Sequence, residues 1–120
     1  MAGSHLDTQP LGGRFDGILG VLSGLEIVRT LIEHGVEHEK PIDDVFCRTD
    51  EEGSRFGAGC VGSNAFVGRR GVEETLKMSD ADSNSIGDEL KRTGYACSEP
   101  VSSFDVDSFL KVRIEQGPIL

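Results

Sequence analysis

His5 and Asp7 stand two residues apart in a polar, glycine-rich stretch at 3–17, and Asp16 lies near its end. Asp50, Glu51 and Glu52 follow as a run in a second polar loop, 49–58. Two loops thus carry a dense set of metal-ligand types. A neutral His5 imidazole can offer one ring nitrogen, and Asp7 can accept the other ring N–H and fix the tautomer. Asp16 is suited to bridging two ions. Glu51 and Glu52 are adjacent and cannot point the same way, so one can ligate while the other works on water. Mixed oxygen and nitrogen donors suit Zn²⁺, Mn²⁺ or Co²⁺. Each residue also has a plainer role: a solvated histidine, a helix N-cap, a solvated acidic pair. His34 and His38, amid Glu33, Glu37 and Glu39, read as a solvated helix end because Gly35 interrupts the helix between them. Cys47 reads as core, and Cys60 and Cys97 lack a partner spacing for zinc.

The elements that must position these loops follow from periodicity. Ile18, Val21, Leu22, Leu25, Val28 and Ile32 recur at three- and four-residue steps and predict a helix over 17–34. Asp16 stands at its N-cap position and Gly35 at its C′ position. Gly17, Gly20 and Gly24 form a neighbouring ridge that allows a close approach to a sheet. A mostly buried strand is expected over 41–48, although Asp43, Asp44 and Arg48 fit burial poorly. A short helix is expected over 60–67. Residues 79–84 read as a turn cluster, followed by a helix over 85–93 that closes at Gly94. Pro100 breaks the chain, and 107–115 is expected to hold a strand. Helix and strand alternate, so the fold class is α/β, a sheet flanked by helices.

Length and charge narrow the function. The 120 residues allow one domain with a real core, and the net charge is -9. That charge disfavours nucleic acid and anionic membranes as partners. No apolar run reaches the ~20 residues that span a bilayer. The N-terminus lacks the basic start and apolar stretch of a signal peptide. Three widely spaced cysteines suit a cytoplasmic location better than a disulfide framework.

Taken in order, four segments carry a resemblance: Gly3-Ser4-His5-Leu6-Asp7-Thr8, Gly12-Gly13-Arg14-Phe15-Asp16-Gly17, Thr49-Asp50-Glu51-Glu52-Gly53-Ser54-Arg55-Phe56 and Arg113-Ile114-Glu115-Gln116-Gly117-Pro118. The chain resembles the hydantoinase/carbamoylase family of amidases within the M20 metallopeptidase clan, which includes N-carbamoyl-L-amino-acid hydrolases. The resemblance implies an α/β, zinc-peptidase-like catalytic domain, with a smaller inserted domain for dimerisation and for closing over substrate. It implies a homodimer hydrolysing C–N bonds of N-carbamoyl amino acids or related ureido compounds with two divalent ions, Zn²⁺, Mn²⁺ or Co²⁺. By the same resemblance His5 is a ligand of one metal, Asp16 the bridging carboxylate and Glu52 a ligand of the second. Glu51 is the general base, Asp7 orients His5, and Gln116 lies near the substrate.

The chain departs from the family pattern. The last motif normally begins with a histidine ligand, and here the position is Arg113, whose guanidinium stays charged and cannot ligate. Residues 1–120 are expected to form only part of the catalytic domain, without the inserted lid and dimerisation domain. His5 and Asp16 would remain for one metal, and Asp16 and Glu52 for the other, against the three protein ligands usual at catalytic zinc. Weak metal binding and little turnover are the expectation. A non-catalytic binding or assembly protein on the same scaffold is the alternative.

Overall fold

A computed structural model describes residues 1–47, 50–98, 101 and 105–115. The chain divides into two compact units, Met1–Arg48 with Asp105–Leu120, and Thr49–Phe104.

The first unit is built on β1 (Ala2–His5), α1 (Ile18–Glu33) and β2 (Asp44–Cys47). β1 and β2 pair in parallel, with Ala2 opposite Asp44 and His5 opposite Cys47. Parallel strands need a long crossover, and α1 supplies it. β1 is buried throughout, although the sequence predicts a polar loop there. Ala-Gly-Ser-His has little intrinsic strand preference, so pairing and burial decide its conformation. Its other side meets Leu110 through a single parallel bridge, with the Gly3 N–H donating to the Leu110 carbonyl at 3.2 Å. That bridge is all that forms among the described residues of the strand expected over 107–115. Past Leu110 the chain leaves the sheet edge and runs over α1, where the Val112 carbonyl packs against Gly20. The Met1 ammonium donates to the Ser108 carbonyl at 2.8 Å, and Lys40 to Asp107 at 2.6 Å; the lysine holds the Asp107 carboxyl below its ordinary value.

α1 forms where the periodicity places it, but it is rotated. Gly20, Val21 and Gly24 are its buried residues. Leu22, Leu25 and Ile32, in the expected apolar stripe, are exposed, Ile32 by 74%. The glycine ridge sets this rotation. A Cβ on Gly20 would come within 2.6 Å of Ser4 Cβ and 2.7 Å of the Val112 carbonyl oxygen, so only a bare backbone can lie so close to β1. The helix ends as expected, with Gly35 at positive φ.

The second unit holds α2 (Val61–Phe66), α3 (Val72–Leu76) and α4 (Ile86–Thr93). Val61 and Ile86 are its buried apolar residues, and Thr75 is buried with its hydroxyl donating to the Gly71 carbonyl at 2.9 Å. α3 is short and has no counterpart among the predicted helices. α4 matches the expected span. The Ser85 hydroxyl accepts from the Asp88 N–H at 3.1 Å, and Gly94 closes the helix at φ 77°. Asp88 and Glu89 in its first turn and Lys91 and Arg92 in its last complement the helix dipole. In the expected turn before it, the Asp80 carboxylate accepts from the Asp82 and Asn84 N–H groups at 3.0 and 2.9 Å. Pro100 lies outside the described residues, as does Arg48. No helix of the described residues is long and apolar enough to cross a membrane.

Candidate functional site

In the first unit, β1 ends at His5, which is only 3% exposed. Its Nδ1 lies 2.8 Å from the Asp7 carbonyl oxygen and 3.5 Å from Asp7 Oδ1. A carbonyl can only accept, so Nδ1 carries the proton of the neutral ring and the lone pair falls on Nε2. The sequence expects the Asp7 carboxylate to set this tautomer; the shorter contact is from the Asp7 main chain. Gly17 packs against the Nδ1–Cε1 edge of His5. A Cβ there would fall within 2.5 Å of Nδ1 and 2.6 Å of Cε1, and would strike the His5 carbonyl oxygen.

Asp16 is placed by the same turn. Gly17 adopts φ 70°, ψ −55°, and the Ile18 N–H donates to the Asp16 carbonyl at 2.7 Å, closing a three-residue γ-turn. Gly17 therefore takes the N-cap position expected of Asp16, because the turn reverses the chain one residue later. The Asp16 carboxylate is left for other work and accepts from the Thr8 hydroxyl at 3.3 Å. Ligand atoms of His5 and Asp16 lie within 4.8 Å of each other. One imidazole nitrogen and one carboxylate at that separation are donors that a borderline cation such as Zn²⁺ accepts.

The second unit carries the acidic run. Asp50, 8% exposed and at φ 39°, ties its loop together: its carboxylate accepts from the Ser54 hydroxyl at 3.3 Å, the Arg55 N–H at 3.2 Å and the Phe56 N–H at 2.7 Å. Glu51 is half-buried and turned towards α2. Its two carboxylate oxygens accept from the Ser63 N–H and the Ser63 hydroxyl, each at 2.7 Å, and its carbonyl accepts from the Cys60 N–H at 2.7 Å. Glu52 is half-buried beside it. The adjacent glutamates therefore hold different positions, one fastened to a helix and the other in the tight turn ahead of Gly53.

Arg55 joins this loop to α4. It donates to Asp80 at 2.8 and 3.0 Å and to Glu89 at 2.8 Å, and stacks over Phe56 at 5.1 Å. Glu89 is also gripped by Arg92 at 2.8 Å. Arg92 first and Arg55 second hold the Glu89 carboxyl at about 2, against an ordinary 4.5. The Asn84 N–H, then Arg55, holds Asp80 below its ordinary value. The sequence does not reveal this network, because its partners are 25 and 34 residues from Arg55.

Among the remaining sequence candidates, Arg113 is exposed and Gln116 lies outside the described residues. His34 and His38 are exposed, as a solvated helix end requires. Cys60 and Cys97 are exposed, and the Cys47 side chain is among those not described. Residues 57–62, Gly-Ala-Gly-Cys-Val-Gly, have the G-x-G-x-x-G spacing of dinucleotide loops. They follow a loop rather than a strand, and Glu51 already fills the helix N-terminus where a phosphate would sit.

No family model matches the chain. It is 48% identical over 98% of its length to the N-carbamoyl-L-amino-acid amidohydrolase of Rhizobium meliloti, and covers 28% of that protein. It is 41% identical over its whole length to the N-carbamoyl-L-amino acid amidohydrolase of Geobacillus stearothermophilus, covering 30% of it. Among solved structures, it superposes with a TM-score of 0.86 and 46% identity on a hydantoinase/carbamoylase family amidase from Burkholderia vietnamiensis, over 98% of this chain and 28% of that one. The chain thus spans less than a third of the length of these relatives.

Proposed function

The chain belongs to the hydantoinase/carbamoylase family of amidases, and on that footing we propose that it serves metal-dependent hydrolysis of a C–N bond in N-carbamoyl-L-amino acids or related ureido compounds. In this proposal His5, Asp16 and Glu52 hold divalent ions, Zn²⁺, Mn²⁺ or Co²⁺. The proposal includes descent from the M20 clan and a cytoplasmic location, which three widely spaced cysteines suit better than a disulfide framework.

The observation that carries the proposal is His5. It is buried, its Nδ1 is committed to Asp7, and a ligand atom lies within 4.8 Å of one on Asp16. A buried imidazole held in the Nε2 lone-pair tautomer beside a carboxylate is the arrangement a metal ligand needs.

Divalent ions bound there would polarise the scissile carbonyl and acidify the attacking water. The chain's own residues do the rest. Asp7 keeps the proton on His5 Nδ1. Asp16 offers its carboxylate from the γ-turn at the start of α1. Glu51, an anion fixed by two hydrogen bonds, receives a proton from water and returns it to the leaving nitrogen.

Arg113 favours a second role, a scaffold that binds without turnover, because an arginine stands where the family pattern has a ligating histidine. One experiment separates the two. Metal stoichiometry is measured after dialysis against Zn²⁺ or Mn²⁺ for the parent and for His5→Ala and Glu52→Ala, together with ammonia release from N-carbamoyl-L-alanine. Bound metal that both variants lose, with turnover that rises in Arg113→His, supports the hydrolase. Bound metal with no turnover even in Arg113→His supports the binding role, and no bound metal in any protein refutes the site.

A further inference from the structure

We infer that Ser63 is a positioning residue for the Glu51 carboxylate. This deepens the proposed function and rests on Glu51 as its proton carrier. The geometry is local to the second unit and uses both donors of one residue. The Ser63 N–H takes one Glu51 oxygen and the Ser63 hydroxyl takes the other, each at 2.7 Å. A serine hydroxyl has one proton to give. Among the described residues its one other acceptor, the Cys60 carbonyl, lies at 3.4 Å, so the proton belongs to Glu51. Gripped at both oxygens, the carboxylate loses its rotational freedom, and its plane is set by the helix rather than by its own flexible stem. Each oxygen keeps a second lone-pair direction, so the grip fixes the group without using up its capacity to accept a proton.

The anchor is itself anchored. Ser63 lies in the first turn of α2, whose first residue, Val61, is fully buried. The Cys60 N–H donates to the Glu51 carbonyl and the Asn64 N–H to the Cys60 carbonyl, at 2.7 and 2.9 Å. Main chain and side chain of Glu51 are therefore tied to the same helix end. The packing of Val61 is transmitted to the place where a proton must be taken. Proton transfer is sensitive to such placement, and an error of about 1 Å costs on the order of 100-fold in rate. A carboxylate serving only to cap α2 would make the same bonds, so the test must separate positioning from capping.

The test compares the 120-residue parent, Ser63→Ala and Ser63→Thr, loaded with Mn²⁺. It reads kcat and KM for N-carbamoyl-L-alanine, Mn²⁺ affinity by calorimetry, and the Tm of the metal-free proteins. For Ser63→Ala the expected result is a kcat lower by about 10- to 100-fold, with KM and Mn²⁺ affinity within about threefold of the parent. Ser63→Thr, which keeps the hydroxyl, restores kcat to within about threefold. A kcat unchanged in Ser63→Ala overturns the assignment. So does a loss of kcat, Mn²⁺ affinity and Tm together that threonine rescues, which would make Ser63 a cap and no more. Where only Arg113→His turns over, the Ser63 variants are read in that background; bound Mn²⁺ without turnover in both the parent and Arg113→His refutes the hydrolase itself, and the role of Ser63 falls with it.

Discussion

Replacing Gly17 by alanine tests how the first unit holds His5. Gly17 sits at φ 70°, ψ −55°, a conformation that costs an L-residue roughly 1–3 kcal/mol. The added Cβ would lie 2.5 Å from His5 Nδ1 and 2.6 Å from Cε1. Overpacking of that kind typically costs about 1–3 kcal/mol. The two terms together give roughly 2–6 kcal/mol, a large part of the ~5–15 kcal/mol that holds a typical domain together. Gly35 provides the control. It has φ 59° with nothing within 4 Å of a built Cβ, so Gly35→Ala should cost only the backbone part, about 1–2 kcal/mol. Urea denaturation followed by circular dichroism measures both. Zinc titration of Gly17→Ala should in addition show weaker binding, because relief of the clash must push the His5 ring aside. If Gly17→Ala costs no more than Gly35→Ala and binds zinc like the parent, the close packing of Gly17 on His5 is not what fixes the ring.

Other outcomes follow from the same geometry. Glu89 titrates at about 2 in the folded chain against an ordinary 4.5, so the stability it lends is complete above pH ~4.5 and is lost as pH falls towards 2. Asp80 is shifted in the same direction, and thermal melts of Arg55→Ala should show a weaker dependence on pH across that window than the parent. The Ser4 hydroxyl is buried without a hydrogen-bond partner among the described residues, so Ser4→Ala should be neutral or raise stability by about 1 kcal/mol in the urea assay. Val61 is fully buried, and Val61→Ala should cost roughly 2–3 kcal/mol from two lost methyl groups and the cavity they leave, read by the same melts.

The local features were legible in the sequence because their causes are local. The three- and four-residue spacing of apolar positions locates α1, Ser85 and Gly94 bound α4, and the Asp80 to Asn84 run makes a turn by bonding its own backbone. The chemistry-bearing residues were legible by type and order, and the family follows from their segments. Tertiary structure decided what those residues touch. β1 is a strand because pairing with Asp44–Cys47 and burial override the weak preference of Ala-Gly-Ser-His. α1 turns its glycines rather than its leucines inward because close approach to Ser4 leaves no room for a side chain. His5 is fixed by a main-chain carbonyl, Glu51 by a serine twelve residues away, and Arg55 by carboxylates further still. Residue type states what a group can bond to, but folding chooses the partner, because that choice depends on distances no one-dimensional spacing contains.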